Sequence, residues 1–169
     1  MTRRDEKHQQ APPLPVRPVS ASAVEATYIV LPGDTNALGT AFGGKILQWM
    51  DIAAAVAAGR HCGGPTVTLA VDELTFAQPI RMGDVVSIRA AVNYAGRTSL
   101  EVGIRVERES LRTHAREHCL SGYFTFVGVD ELGRPTPVPP LQTDTEVERR
   151  RFLAAERRRA ERLSRRQGS

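Results

Sequence analysis

The chain has 169 residues, of which 41% are apolar, and a formal net charge of +4, which suits one domain of ordinary size with tails. No apolar run approaches the roughly 20 residues that cross a bilayer, and the charged N-terminus with no apolar segment after it predicts no secretory signal. The two cysteines, Cys62 and Cys119, are too few for a disulfide framework. We therefore predict reduced thiols, a cytoplasmic location and no membrane partner.

The positive charge is concentrated at the two ends of the chain. Residues 144–166 carry nine arginines and five acids, and residues 1–20 carry four basic and two acidic groups. The remaining middle carries ten basic and twelve acidic groups, so it is close to neutral. Because the excess of basic residues lies in the tails, the net positive charge is weak support for nucleic-acid binding, and we expect no nucleic-acid partner.

The N-terminal third predicts an arm, a strand, a polar loop and a long helix. Residues 1–20 contain four prolines among polar residues, which is typical of a disordered, proline-rich arm. Alternating apolar residues predict a strand over 24–31. A polar loop over 36–42 leads into an alanine-rich apolar helix, which ends at Gly59 or at the breaker over 63–65.

Beyond the helix the apolar period changes from about four residues to two. Strands are predicted over 66–76, 84–94, 98–107 and 116–129, and short turns make them antiparallel. The order predicts an α+β fold, in which an antiparallel sheet of about five strands wraps around one long central helix. Such a layer has an edge strand and an exposed face, which favours pairing with another copy. The inward positions on the central pair are Val86, Ile88, Ala90, Val92, Leu100, Val102, Ile104 and Val106.

Residues 136–169 predict a linker and an arginine-rich helical tail. Acids come early and arginines late over 144–166, as the helix dipole favours. The apolar positions form no clear stripe, so we predict a solvated helix, with phosphate or nucleic-acid contact as a weaker alternative. The predicted organisation is an arm over 1–20, a domain over 21–135 and a tail over 136–169.

Asp51 is the only acid in the apolar helix that begins near Gly43. Burying a carboxylate without a partner is costly, so it has either a chemical role or a structural partner. Gly43 and Gly44 allow close approach to free N–H groups at the helix start, which attract negative oxygen; close packing against the sheet is the alternative. Seven residues separate Gly44 from Asp51, or roughly 10 Å of helical rise. A site that uses both would therefore combine two subunits.

The segment from Asp34 to Gly44, followed by Met50 and Asp51, resembles the motif of the hotdog-fold acyl-CoA thioesterases, a cytosolic acyl-CoA hydrolase family with bacterial short-chain and brain-type members. Segments 71–79, 82–84 and 96–99 are also similar, so the resemblance covers about residues 24–135. It implies a hotdog fold and hydrolysis of fatty acyl-CoA to fatty acid and CoA, with no metal and no cofactor. It also implies a homo-oligomer with a dimer as its unit, either a trimer of dimers or a tetramer.

The resemblance also implies roles for particular residues. Asp51 would act as general base or nucleophile, while Asn36, contributed across the interface, would place the attacking water. The N–H groups of Gly43 and Gly44 would polarise the thioester carbonyl. Alternatively, Asn36 is an ordinary turn residue. An alternative function is a non-catalytic acyl-CoA-binding or regulatory hotdog module.

In relatives the region around Gly96 lies near bound CoA. Arg97, Thr98 and Ser99 are therefore implied to contact the CoA of the substrate, with Arg97 as a phosphate donor. The alternative is a simple hairpin connection. The histidines have no partners at metal-ligand spacing, so we predict no metal site.

Overall fold

The computed structural model describes residues 13–167, with side chains as far as residue 165. These residues form two helices, a five-stranded sheet and a separate pair of short strands. Short 3₁₀ turns lie at Val19–Ser22 and Pro32–Asp34. In chain order the elements are β1 Arg17–Pro18, β2 Val24–Ile29, α1 Gly43–Cys62, β3 Thr66–Val71, β4 Val85–Ala95, β5 Ser99–Glu109, β6 Arg116–Gly128, β7 Leu141–Gln142 and α2 Glu146–Gln167.

The main sheet has the strand order β2-β4-β5-β6-β3, and all its pairs are antiparallel. The consecutive strands β4, β5 and β6 form the centre, while the two strands that flank α1 in sequence form the edges. The predicted α+β arrangement is confirmed. Two strands are shorter than predicted, since β2 ends at Ile29 and β3 ends at Val71. Beyond β3, isolated hydrogen bonds from Asp72 to Tyr123 and from Ala77 to Cys119 keep the chain beside β6.

Helix α1 packs on the inner face of the sheet through an alanine surface. All the inward positions predicted on β4 and β5 are buried against it. The helix ends at Cys62 because Gly63 adopts a left-handed φ of 72° and donates its N–H to the Gly59 carbonyl over 2.8 Å, an αL arrangement that favours glycine. The alanines that face the sheet are Ala53, Ala54, Ala57 and Ala58.

One stripe of α1 stays open, so this apolar helix is not buried on every side. Ile52 and Val56 are exposed large apolar residues along this stripe. Asp51 lies half-buried at its edge, and Leu47 is exposed one turn before Asp51. The sheet covers the other sides of the helix only. Exposed apolar residues that line up on one helix face indicate a surface for a partner or ligand.

Helix α2 packs on the outer face of the sheet, which corrects the predicted solvated tail. Ala155 is fully buried, the Phe152 ring lies 5.0 Å from that of Tyr94, and the Arg158 guanidinium lies 3.6 Å from the Tyr123 ring centroid. The packed positions follow helical spacing, but most are arginines, which is why apolar patterning alone shows no stripe. They are Phe152, Ala155, Arg158, Arg159 and Arg162.

A buried carboxylate fixes this contact. Glu101 on β5 is only 2% exposed, and it pairs with Arg158 over 2.6 Å and with Arg162 over 3.1 Å. Arg162 also pairs with Asp72 over 2.8 Å, just after β3. The arginines of α2 therefore neutralise a charge that burial alone would make costly. They also tie the helix to the end of the edge strand.

The segments on either side of the predicted domain also belong to the packed structure. Residues 1–12 of the predicted arm lie outside the described residues, but Arg17–Pro18 pair in parallel with Leu141–Gln142. Val138, placed in the predicted linker, is buried in the core. No helix within residues 13–167 is long and apolar enough to span a membrane.

Removing both cations from Glu101 should destabilise the fold. We expect Arg158→Gln combined with Arg162→Gln to lower the free energy of unfolding by about 3–5 kcal/mol, because a buried charge is left without its partners. Adding Glu101→Gln should recover part of the loss. The measurement is urea unfolding at fixed protein concentration, followed by the fluorescence of the single tryptophan, Trp49.

The matched control for this experiment is Arg149→Gln. Arg149 makes an exposed pair with Glu146 on the same helix, and exposed pairs contribute about 0–1 kcal/mol. If the double variant lost no more stability than this control, the role assigned to Glu101 would be wrong.

Candidate active site

The Asp51 carboxylate is held by a residue on the neighbouring edge strand. Thr68 of β3 donates its hydroxyl hydrogen to Oδ1 of Asp51 over 2.9 Å. The contact joins α1 to β3 at the open stripe of the helix. Asp51 therefore has a hydrogen-bond partner, and its other carboxylate oxygen makes no hydrogen bond within the described chain.

The start of α1 presents free backbone N–H groups. Within the described residues, the N–H groups of Gly43 and Gly44 have no acceptor, whereas those of Phe42 and Lys45 are hydrogen-bonded. A Cβ on Gly44 would lie 2.6 Å from the Phe42 ring, while one on Gly43 would lie 3.7 Å from the Phe76 ring. The two glycines thus pack beneath aromatic rings and leave N–H groups that can polarise an oxygen atom.

A charged pair lies beside the start of this helix. Asp34 accepts a hydrogen bond from the Leu31 N–H over 3.0 Å and pairs with Lys45 over 3.2 Å. The Leu31 hydrogen bond, followed by the nearby Lys45 ammonium, holds the pKa of Asp34 below its usual value. Asp34 also accepts the Phe42 N–H at its backbone carbonyl, so it fixes the geometry at the helix start.

Asn36 organises the loop that precedes the helix. Its Oδ1 accepts the Leu38 N–H over 2.9 Å, and its Nδ2 donates to Oγ1 of Thr40 over 2.8 Å. The turn role weighed from the sequence is therefore present. The residue is exposed, so it also remains accessible to a ligand or a second subunit.

These groups do not meet within one chain. Gly44 and Asp51 lie on one uninterrupted helix, about 10 Å apart along its axis. No hydrogen bond among the described residues joins Asp51 to Asn36 or to either glycine. Around the helix start the chain exposes the apolar side chains Leu38, Phe42, Phe76 and Met82.

The predicted CoA-binding residues lie at the turn between β4 and β5. Arg97 is exposed and has no ion pair within the described chain, whereas the backbone carbonyls of Arg97 and Thr98 accept hydrogen bonds from Val138 and Gly128. Ser99 begins β5 and is followed by Leu100. Leu100 pairs with Phe126 of β6, and Phe126 pairs with Thr68 of β3, so Leu100 and Thr68 lie two strands apart. Two strand spacings are about 10 Å, so the turn lies at the same end of the sheet as Thr68.

The thiols and the buried histidine do not form a reactive group. Burial raises the pKa of the Cys62 thiol to about 11 and also raises that of Cys119. Burial likewise lowers the pKa of His61, whose Nε2 lies 2.8 Å from the Pro139 carbonyl. Within residues 13–165, no cluster of His, Cys, Asp and Glu could hold a metal ion. Asp51 is thus the acid on which a site can be built.

Comparison with known proteins decides the family. Residues 38–115 match the model of the Thioesterase superfamily. The chain is 43% identical to Protein VdlD of Helicobacter pylori, covering 78% of this chain and 75% of that protein. It is 38% identical to the uncharacterized acyl-CoA thioester hydrolase YkhA of Bacillus subtilis, and the match covers 88% of this chain and 86% of that protein.

The chain belongs to the thioesterase superfamily. This thioesterase superposes on an apo-hexameric acyl-CoA thioesterase with a TM-score of 0.86 and 39% identity, covering 90% of this chain and 97% of the other. It matches an acyl-CoA hydrolase from Staphylococcus aureus, solved with butyryl-CoA, CoA and CoA disulfide, with a TM-score of 0.81 and 33% identity, covering 91% and 96%. The predicted hotdog fold and thioesterase class are confirmed.

Three more structures of the Staphylococcus aureus enzyme carry single alanine substitutions, at an asparagine, an aspartate and a threonine. Those positions are 15 and 17 residues apart in sequence. The same spacings separate Asn36, Asp51 and Thr68 in this thioesterase. The sequence predicts Asn36 and Asp51 as candidate site residues but not Thr68, because a threonine in a strand shows no pattern that marks it. Its hydrogen bond to Asp51 reveals it.

Proposed function

We propose that this thioesterase hydrolyses acyl-CoA thioesters, releasing a carboxylic acid and CoA, with Asp51 as the catalytic carboxylate. The observation that carries the proposal is the Asp51–Thr68 hydrogen bond at the open stripe of α1. The matching spacing of the substituted residues in the Staphylococcus aureus hydrolase supports it. Relatives named as acyl-CoA thioester hydrolases support the substrate class.

Asp51 acts on the thioester carbonyl carbon, either through a water that it deprotonates or directly as a nucleophile. Thr68 holds Oδ1, so the free oxygen faces the substrate. The N–H groups of Gly43 and Gly44 stabilise the negative oxygen that develops on the carbonyl. When Asp51 acts as base, the tetrahedral centre collapses to the carboxylic acid, and the leaving CoA thiolate takes the proton that Asp51 removed from water. When Asp51 acts as nucleophile, departure of the thiolate leaves an anhydride between the acyl group and Asp51, and a water molecule then hydrolyses this anhydride to the acid and restores the carboxylate.

The complete site combines two subunits. One helix cannot bring Asp51 to its own N-terminal amides, so the amide end and Asn36 come from a second copy. The open stripe of α1 and the edge strand β3 offer the apolar and backbone surfaces for that contact. Solved hexameric thioesterases with this fold support an assembly of dimers. Such a chain would operate in the cytoplasm, where acyl-CoA is available.

CoA contact at the turn between β4 and β5 is part of the proposal. Arg97 is an exposed cation without an acid partner in the described chain, which suits bidentate contact with a phosphate group. Thr98 and Ser99 supply hydroxyl groups beside it. The turn lies at the end of the sheet that also holds Thr68.

Asp51→Asn keeps the side-chain volume and removes the base. We expect kcat for thiol release from acyl-CoA to fall by at least about a hundredfold, with KM little changed because binding contacts remain. The assay compares butyryl-CoA with palmitoyl-CoA. Glu131→Gln, an exposed acid in the turn after β6, is the control and should match the wild type. Equal background rates in the wild type and Asp51→Asn would favour a non-catalytic binding module.

Thr68→Val removes the donor to Asp51 at nearly constant volume. We expect kcat to fall about tenfold, the equivalent of one hydrogen bond to a charged group, and the pH–rate profile to shift. Thr68→Ser keeps the hydroxyl and should retain most of the rate. If valine and serine behaved alike, Thr68 would not be orienting the carboxylate.

A mixed-subunit experiment tests the shared site. Asp51→Asn and Asn36→Ala chains carrying different tags are co-expressed and the hybrid is purified through both tags. A hybrid dimer then has one site with both lesions and one intact site, so we expect about half of the wild-type rate. If each site lay within one chain, every site would carry a lesion and the hybrid would be as inactive as its parents.

A further inference from the structure

A buried carboxylate outside the proposed thioester site holds the turn that leads into β4. Asp84 lies just before this strand and is only 7% exposed. Its Oδ2 accepts the Arg81 N–H over 2.8 Å and pairs with Nη1 of Arg108 over 3.0 Å. Burying an acid without partners is costly, and here a single oxygen atom has both a cation and a backbone donor. Asp84 therefore ties the backbone of the turn to a side chain of β5.

Arg108 is itself held from its other side. Its Nε and Nη2 donate to Oε2 of Glu117 on β6, over 3.1 Å and 2.7 Å. A guanidinium group with an acid on each side has a fixed orientation, since its donors are arranged in a rigid fork. The anchor for Asp84 thus comes from two of the three central strands of the sheet.

The turn over 80–84, which we call the platform, is fixed at other points as well. Gly83 adopts a left-handed φ of 86° and donates its N–H to the Val30 carbonyl over 2.9 Å, and the Val30 N–H donates to the Asp84 carbonyl over 3.0 Å. Ile80 is buried in the core. The platform is therefore attached to the end of β2, to the core and, through Asp84, to β5.

The loop over 36–41, which precedes α1, rests on the platform. The Ala41 N–H donates to the Ile80 carbonyl over 2.7 Å, and the Met82 N–H donates to the Gly39 carbonyl over 3.2 Å. Among the described residues, no other hydrogen bond joins this loop to the rest of the chain. The platform therefore determines where the loop lies.

This loop carries or adjoins two parts of the proposed site. Asn36 is its first residue, and the free N–H groups of Gly43 and Gly44 begin two residues after its end. Displacing a reacting group by about 1 Å can cost on the order of a hundredfold in rate. Asp84 makes no hydrogen bond to any of these groups, so its effect on them passes through the platform and the loop.

We propose that Asp84, held by Arg108, is a positioning residue that places the loop over 36–41 and the amide end of α1 for catalysis. The carboxylate holds the platform, the platform holds the loop, and the loop presents Asn36 to the site of the second subunit. The proposal rests on the proposed thioester site and on its division between two subunits.

Asp84→Ala removes the acceptor and leaves Arg108 with Glu117 as its acid partner. We expect kcat for thiol release from acyl-CoA to fall at least about tenfold while KM stays within about threefold, because the reacting groups move and the CoA contacts remain. Asp84→Asn keeps an oxygen for the Arg81 N–H and should keep kcat within about threefold of the wild type.

The matched control is Glu117→Gln, which removes the other acid from the same arginine and does not touch the platform. Its kcat should stay within about twofold of the wild type. An equal loss in Glu117→Gln and Asp84→Ala, or a change in KM alone, would overturn the proposal.

Hybrid dimers separate an effect on the loop from an effect on Asp51. An Asp84→Ala chain paired with an Asp51→Asn chain leaves one site intact, so we expect about half of the wild-type rate. Paired with an Asn36→Ala chain it leaves no intact site, and we expect about a twentieth, because one site carries the tenfold loss and the other lacks Asn36. General damage to the fold would slow both hybrids alike, and equal rates would contradict the proposal.

The hybrid of Asp51→Asn with Asn36→Ala is the reference for these two. If the reference is active and the two Asp84→Ala hybrids have equal rates, the positioning role is wrong and the shared site stands. If the reference is inactive, the shared site is wrong, and amide hydrogen exchange then decides the role of Asp84 without any activity measurement.

In Asp84→Ala we expect the amides of residues 36–41 to exchange at least about tenfold faster than in the wild type, the equivalent of one lost hydrogen bond, with β5 unchanged. Unchanged exchange in the loop, or equally faster exchange in β5, would overturn the positioning role. If the alanine variant does not fold, Arg108→Lys keeps the charge and loses the fixed fork, and the loop amides should then exchange about threefold faster.

Discussion

The close approach of α1 to the sheet is the packing constraint on which this structure depends. Four alanines form the later part of the helix face that meets the sheet, after Ile46, Trp49 and Met50, and each alanine removes the side-chain bulk that would hold the layers apart. The helix therefore sits deep in the curve of the sheet, and only one stripe remains open. That placement brings Asp51 to the edge of the sheet, within hydrogen-bond distance of Thr68 on the edge strand β3. Longer side chains at the alanine positions would push the carboxylate away from its partner.

The features that the sequence predicts correctly are those that local residue patterns define. The period-two segments define β4, β5 and β6 because each central strand is apolar on the face toward α1. Asp51 stands out because an acid in an apolar helix is costly to bury. Thr68 does not stand out, since its role depends on a contact with a residue 17 positions earlier. The packing of α2 escapes prediction for a related reason. Its contact surface is arginine, and its partner Glu101 is an acid hidden on an inner strand of the sheet.

The arginines of α2 divide into two groups according to what faces them. Arg158 and Arg162 face Glu101 and Asp72, so their charge is neutralised and they hold the helix in place. Arg150 and Arg157 have no ion pair within the described residues, and they line a cleft to which the sheet contributes Glu25, Arg89 and Arg105. The arginine-rich composition of α2 alone predicts a solvated helix. In the structure, Arg158 and Arg162 attach the helix to the sheet, whereas Arg150 and Arg157 have no acid partner among the described residues. Arginine can anchor this helix because a guanidinium group both pairs with an acid and stacks on an aromatic ring.

The strand order also determines the sequence in which the fold assembles. Ile29 pairs with Val85 and Val71 with Phe124, so both edge strands close loops of more than 50 residues, whereas β4, β5 and β6 meet through short turns. Loop closure over longer distances is slower, so we expect the central three strands to form first and the two edge strands, β2 and β3, to join later. The contact between Asp51 and Thr68, on which the proposed catalytic site depends, then arises late in folding. Partial unfolding from the edges would remove it while most of the sheet remains intact, so loss of activity would precede loss of structure when the protein is stressed.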